Sequence, residues 1–212
     1  MKIAPSLLSA DFLRLDKDVE MVNHYADLFH IDVMDGVFVP NISFGFPVVN
    51  AVASKAEKPM DVHLMIVRPE NYALKFADIP AVGMVSFHLD ACDKADALLE
   101  DIRSKGVKAG LVINPDIPVE RLFPYLEHCD FVLLMSVFAG FGGQKFIEAT
   151  YSRVRTLRDE IRRRRLNVEI EVDGGVSPSN SHLLEDAGAD ILVAGSAVFG
   201  AADPAKVISM MR

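Results

Sequence analysis

The sequence predicts an α/β protein, specifically a (β/α)8 TIM barrel, on three observations. Short β-rich apolar runs alternate with longer amphipathic stretches, there are eight such runs, and eight units in 212 residues average about 26 residues each. Strands alternating with helices imply βαβ units and a parallel sheet, and closing that sheet into a barrel removes both of its edges. Units this short leave no room for a second domain, so residues 1–212 are read as one barrel domain. An open doubly wound sheet is the alternative on pattern alone.

The first run lies near residues 2–6. Beyond it Phe12, Leu15, Val19 and Val22 recur at three- and four-residue intervals and build one apolar helix face, with Ser9-Ala10-Asp11 ahead of it as capping candidates. The second run, near 27–34, ends His30-Ile31-Asp32-Val33-Met34-Asp35-Gly36. Strand side chains alternate faces, so His30, Asp32 and Met34 share one, and in a barrel that face points inward. An imidazole and a carboxylate are costly there without partners, and a metal ion would compensate both. The third run, near 60–65, repeats the device with His63 and Met65. Runs near 82–88, 107–113 and 130–136 follow, the last carrying Met135. The charge run at 162–165 reads as a solvated helix C-terminus, where cations suit the macrodipole. The seventh run, near 167–172, leads into Glu171-Val172-Asp173-Gly174-Gly175 and places Asp173 at the mouth; the eighth, near 190–194, is followed by Gly195-Ser196-Ala197.

In such a barrel function sits at the C-terminal ends of the strands and in the loops after them. Taken singly, a strand histidine reads as a satisfied core residue and an aspartate after a strand as a helix cap. Three strand ends with inward polar groups read instead as a site. Two imidazoles and two carboxylates suit Zn, Fe or Mn better than Mg or Ca. Met34, Met65 and Met135 fit equally as core filler or as an apolar shell that shields a reactive intermediate from water. The glycine-rich loops Gly140-Phe141-Gly142-Gly143-Gln144, Asp173-Gly174-Gly175-Val176-Ser177 and Gly195-Ser196-Ala197 let backbone amides approach an anion, which points to a phosphate site.

Composition narrows the partners. Half of the residues are apolar and the formal net charge is -8, which argues against nucleic acid or an anionic membrane surface. Cys92 and Cys129 lack zinc-site spacing and make no disulfide framework, as expected of thiols in a reducing cytoplasm. The start Met1-Lys2-Ile3-Ala4 reads as no signal peptide, and no apolar run approaches the roughly 20 residues of a membrane span. A cytoplasmic protein is expected.

These residues together resemble the ribulose-phosphate 3-epimerase family over essentially the whole length. The matching stretches are Ala4-Pro5-Ser6-Leu7-Leu8-Ser9-Ala10-Asp11, His30-Ile31-Asp32-Val33-Met34-Asp35-Gly36, Phe38-Val39-Pro40-Asn41 and Asp61-Val62-His63-Leu64-Met65. Gly140-Phe141-Gly142-Gly143-Gln144, Glu171-Val172-Asp173-Gly174-Gly175 and Gly195-Ser196 complete the set. The resemblance implies a barrel of the ribulose-phosphate-binding type and interconversion of D-ribulose 5-phosphate and D-xylulose 5-phosphate. It also implies His30, Asp32, His63 and Asp173 as ligands of one divalent ion (Zn, Fe, Mn or Co). Asp32 and Asp173 would be the acid–base pair, with Asp32 the base towards ribulose 5-phosphate. Ser6, His63, Asp173, Gly140, Phe141, Gly142, Gly143, Gly174, Gly175, Gly195 and Ser196 would contact the sugar phosphate. A homo-oligomer is expected as well.

The chemistry agrees with the resemblance. Moving a proton at C3 from one face to the other needs two acid–base groups, because one carboxylate cannot reach both faces of a planar intermediate. No nicotinamide or flavin is required. One departure stands out: the family carries an acidic residue or Asn followed by Pro ahead of the Gly-Phe-Gly-Gly run, and here Phe138 and Ala139 stand there. Phe138 then reads as an apolar lid over the methionines, or as a residue facing solvent or an adjoining subunit. Rival readings are the same chemistry on D-allulose 6-phosphate, a non-catalytic sugar-phosphate sensor, and a decarboxylase or aldolase. The stretch Asn41-Ile42-Ser43-Phe44-Gly45-Phe46-Pro47 favours the pentose. The intact Asp32 and Asp173 pair disfavours the sensor, and no run ends with the inward Lys that decarboxylases and aldolases usually need.

Overall fold

The computed structural model describes all 212 residues. Eight strands follow one another as β1 (Lys2–Pro5), β2 (Phe29–Met34), β3 (Met60–Met65), β4 (Val82–His88), β5 (Lys108–Ile113), β6 (Phe131–Met135), β7 (Glu169–Asp173) and β8 (Ile191–Ala194). Each lies within two residues of the run that announces it in the sequence. From β2 to β8 each strand pairs in parallel with its chain neighbours, and β1 pairs in parallel with β8. A single parallel bridge from Ser6 to His30 completes the ring between β1 and β2.

Around the ring run α1 (Leu15–Tyr25), α2 (Phe46–Ala53), α3 (Ala73–Ala77), α4 (Ala95–Ser104), α5 (Thr150–Arg164), α6 (Ser181–Ala187), α7 (Ser196–Phe199) and α8 (Pro204–Met210). Two connections differ from the sequence reading. Helix α1 begins only at Leu15, so Phe12 lies outside it and packs its ring tilted against Phe44, 5.6 Å between ring centroids. The capping candidates do not cap it. A 3-10 turn over Leu7–Ser9 comes first, Asp11 accepts from the Leu13 amide, and Asp18 in the first turn reaches back to the Asp11 amide. Between β5 and β6 the link is a 3-10 turn, Val119–Tyr125, because Pro124 lacks the amide proton an α-helix would use there. The basic run falls where it was read, in the last turn of α5, with Arg165 in the left-handed region beyond it.

Strand alternation decides what each face does. Ile31, Val33, Val62, Leu64 and Val172 point outward and pack with Val19, Val22, Leu98, Leu157 and Leu184 of the helices in the main core. Each such side chain, fully buried, contributes about 1.5–3 kcal/mol. Inside the barrel the base is plugged by Ala4, Leu28, Met84, Phe131, Ile191 and Val193. Phe131 enters because its neighbour on β5 is glycine: a Cβ at Gly110 would stand 2.5 Å from Phe131 Cζ. That apolar plug closes the interior from below and leaves the polar layers above it open only at the mouth. No helix is long and apolar enough to cross a membrane.

Candidate active site

Above the plug, three strands each turn two ionisable groups inward at a spacing of two residues: His30 and Asp32, Asp61 and His63, Glu171 and Asp173. His30, Asp61, His63 and Glu171 are fully buried and Asp32 nearly so, while Asp173 at the mouth is partly exposed. His30 Nε2 and His63 Nδ1 lie 3.4 and 3.5 Å from Asp32 Oδ1. Neither nitrogen has a hydrogen-bond partner. Ser6 donates from Oγ to the other oxygen of Asp32, Oδ2, at 2.5 Å. One donor atom each from His30, Asp32, His63 and Asp173 falls within 4.8 Å of the rest. Orphaned imidazole nitrogens beside two carboxylates are the donor chemistry of a divalent transition-metal site, so these residues fit such an ion.

The two carboxylates are poised in opposite directions. Burial alone would raise Asp32, but the positive charge on His30 and the approach of His63 outweigh it and hold Asp32 well below the usual carboxylate range. Asp173 is pushed up to about 7, first by its enclosed setting and then by the negative charge of Asp32. Burial opposes protonation of His30, yet Asp32 and Asp61 raise it well above an ordinary imidazole. His63 is lowered, because burial exceeds the help it receives from Asp32.

Three further groups complete the buried layers, and the sequence reading gave none of them a role. Asp61 Oδ2 lies 2.6 Å from His30 Nδ1. Glu171 sits 3.6 Å from the same nitrogen with neither of its oxygens hydrogen-bonded, and burial beside Asp61 pushes its carboxyl up to about 8. His88 places Nε2 at 3.0 Å from His63 Nε2, and its ring packs between His63 and Phe38. The signal for all three was present, since they share strand parity with His63, Asp173 and Ser86.

Ser6, Asp32, Met34, Met65, Met135, Gly140, Phe141, Gly142, Gly143, Asp173, Gly174, Gly175, Gly195 and Ser196 line one cavity at the mouth. His30 and His63 do not line it; they lie beneath, which sets His63 apart from the other expected substrate contacts. The amides of Gly142, Gly143, Gly175, Gly195 and Ser196 make no hydrogen bond within the chain. Two of these glycines are required by close approach. At Gly175 (φ +63) a Cβ would stand 2.6 Å from the Phe146 amide nitrogen, and at Gly195 2.6 Å from Ser9 Oγ, a hydroxyl on the cavity wall that the sequence reading took for a capping candidate.

The loop after β6 is tied down from several sides. Gln144 Nε2 donates to the carbonyls of Phe138 and Phe141, Asn41 Nδ2 donates to Gly140 O at 2.8 Å, and Asn114 Oδ1 accepts from the Ala139 amide. Arg153 in turn donates to the carbonyls of Met135, Asn114 and Ile117. Met34 and Met65 cluster with Val39, whereas Met135 clusters with Val112, Leu133 and Val137. The residue that packs against both methionine clusters is Ala139; Phe138 borders the cavity but is 51% exposed.

Comparison with known proteins gives a consistent result. The model of the ribulose-phosphate 3 epimerase family matches residues 2–199. The chain is 44% identical over 216 residues to ribulose-phosphate 3-epimerase of Bacillus subtilis (strain 168), covering 100% of this chain and 98% of that one. It is 46% identical over 213 residues to the enzyme of the same name from Synechocystis sp. (strain ATCC 27184 / PCC 6803 / Kazusa), covering 99% and 92%. Among solved structures it is similar to 3-hexulose-6-phosphate synthase from Salmonella typhimurium, with a TM-score of 0.71 at 17% identity over 100% of this chain and 96% of that one. A mutant tryptophan synthase α-subunit from Pyrococcus furiosus gives 0.70 at 17% identity over 99% and 96%. These two likenesses concern the fold alone.

Proposed function

The chain belongs to the ribulose-phosphate 3-epimerase family, an isomerase family, and on that premise we propose that it interconverts D-ribulose 5-phosphate and D-xylulose 5-phosphate by two-carboxylate proton transfer at C3. The observation that carries this reading is the convergence of Asp32 and Asp173 at the mouth with opposite proton affinities. Environments that push two carboxyls apart mark a base and an acid. Asp32, kept ionised by its neighbours and by the Ser6 hydroxyl, takes the C3 proton. Asp173, whose carboxyl takes a proton more readily than that of Asp32, delivers one to the other face. The two exchange roles in the reverse direction.

His30, Asp32, His63 and Asp173 would hold a divalent ion, Zn, Fe, Mn or Co. That ion would supply Lewis-acid stabilisation of the negative charge that develops on the substrate oxygens as the C3 proton leaves. Met34, Met65 and Met135 keep water from the enediolate. The unpaired amides of Gly142, Gly143, Gly175, Gly195 and Ser196 receive the phosphate, which explains how a protein of net charge -8 binds an anion.

The test is turnover of purified, metal-loaded protein with D-ribulose 5-phosphate and D-allulose 6-phosphate side by side, in deuterated water. We expect faster epimerisation of the pentose, with solvent deuterium entering at C3. Faster turnover of the hexose would reassign the substrate. Epimerisation without deuterium uptake would remove the two-carboxylate route. A homo-oligomer in the cytoplasm also fits this reading. Leu13 is 95% exposed, and Val37 and Ile42 stand out on the loop after β2, as suits a surface covered by a second copy.

A further inference from the structure

Both imidazoles of the proposed metal site have a far nitrogen engaged by a buried group, and that group has no part in the reading above. His30 Nδ1 lies 2.6 Å from Asp61 Oδ2, with both side chains fully buried. His63 Nε2 lies 3.0 Å from His88 Nε2, and His88 is 2% exposed. The near nitrogens, His30 Nε2 and His63 Nδ1, are buried, unpartnered, and both closest to Asp32 Oδ1.

A neutral imidazole carries one proton, and the partner of one nitrogen decides what the other can offer. A metal-ligating His30 must be neutral, and with its one proton on Nδ1, donated to Asp61 Oδ2, the Nε2 lone pair would be free. Two ring nitrogens at 3.0 Å need one donor and one acceptor. If His88 accepts, His63 donates from Nε2 and keeps its Nδ1 lone pair free beside Asp32. The opposite arrangement would put a proton on His63 Nδ1, in the space a cation needs.

We propose that Asp61 and His88 are positioning residues of the metal centre: Asp61 aims the lone pair of His30 Nε2, and His88 aims that of His63 Nδ1, at the space beside Asp32 Oδ1. The proposal rests on the metal reading of the site. The two devices differ in kind. The Asp61 carboxylate adds negative charge behind His30 and strengthens it as a ligand, whereas His88 supplies a neutral acceptor and a ring that stacks on His63 at 5.1 Å between centroids. Buried polar groups that merely satisfied one another would leave metal affinity alone.

The experiment measures zinc affinity of the full chain by competition with a chromophoric chelator. The variants are Asp61→Leu, His88→Leu, Asp61→Asn and His88→Gln, with the parent and His63→Ala as references. It also assigns which histidine nitrogens carry protons by nitrogen-15 spectra of the zinc-loaded parent. We expect one zinc per parent chain and affinity reduced about 10–100-fold in the two Leu variants. His88→Gln, which keeps an acceptor, should recover most of it; Asp61→Asn, which keeps the acceptor but not the charge, should recover part. The spectra should show His30 protonated on Nδ1 and His63 on Nε2. Leu variants with parental affinity, or zinc bound through the opposite nitrogens, overturn the positioning roles while leaving the metal site standing. A parent that binds no zinc, no better than His63→Ala, overturns the metal reading and this proposal with it. If a Leu variant fails to fold, the nitrogen assignment in the unaltered protein decides alone.

Discussion

Gly175 and Gly143 provide a matched test of the phosphate loops, because both take positive φ and both amides are unpaired, yet their surroundings differ. A methyl group at Gly143 (φ +71) meets nothing within 4 Å. At Gly175 (φ +63) it would meet Phe146 N at 2.6 Å, Phe146 Cα at 2.9 Å and Gln144 O at 3.0 Å, all backbone atoms that cannot rotate away. Left-handed backbone costs either alanine variant roughly 1–2 kcal/mol. Forcing the loop after β6 off Gly175 adds about 1–3 kcal/mol to that variant alone. For a chain of this length the added cost lowers the melting temperature by about 2–12 °C beyond the Gly143→Ala variant. The assay is thermal unfolding by circular dichroism alongside steady-state kinetics with D-ribulose 5-phosphate. Gly143→Ala should raise KM with kcat nearly kept, since its methyl occupies the cavity that receives the phosphate. Gly175→Ala should lose stability as well as affinity. Equal melting temperatures would refute the argument that close approach, and not turn geometry alone, requires glycine at 175. An unchanged KM in both variants would remove these amides from the phosphate site.

Asp173→Asn keeps the shape of the side chain and removes the transferable proton, so kcat should fall about 10²–10⁴-fold with little change in KM; near-parental turnover would rule out the acid–base pair. Chelation should abolish turnover while leaving helicity and the melting transition cooperative, because the apolar core between barrel and helices does not depend on an ion; full activity in rigorously metal-free protein would refute the metal role. Cys129, buried beside Asp130, has its thiol pushed from 9.0 up to about 12, first by burial and then by that charge. A raised folded-state value means that stability is intact below pH 9 and is lost as pH climbs towards 12. A maleimide reagent at pH 8 should therefore spare Cys129 until denaturant is added, and rapid labelling of the native protein would contradict its burial.

Much of this architecture is legible in the sequence because it depends on short-range periodicity. A strand buried on both faces must be a run of β-formers, and parity then fixes which residues share the interior. Asp61, Glu171 and His88 obey the same parity as the residues singled out by reading strand ends, yet their partners come from other strands. The 2.6 Å contact of His30 with Asp61 and the 3.0 Å contact of His63 with His88 depend on barrel register, which no single run encodes. The start of α1 was misplaced for a related reason. Asp18 caps Asp11 across seven residues, outside the local window in which a capping box is sought. Loop direction is harder still: of the adjacent Phe138 and Ala139, the smaller one packs on the methionines, because Asn114 and Asn41 pin the backbone with Ala139 turned inward.

The interior is divided between polar and apolar strands. Ionisable and polar groups come from β2, β3, β7 and the last turns of β1 and β4, whereas β5, β6 and β8 present Val112, Leu133, Met135 and Val193. The unpaired amides stand on the loops after β6, β7 and β8. Only β7 and the loop after it belong to both sets, with Asp173 at the strand end and Gly175 two residues on. On the proposed reading, a ligand with its phosphate on the amides would run across the mouth from the apolar wall towards Asp32, passing Asp173 on the way. The reacting carbon would then lie between the two carboxylates, and the distance from phosphate to that carbon would be set by backbone amides and strand-borne carboxylates. On the proposed reading this spacing is the physical basis for expecting the five-carbon substrate to be preferred: one more carbon between phosphate and C3 would displace the reacting centre by about 1 Å, a misplacement that can cost ~10²-fold.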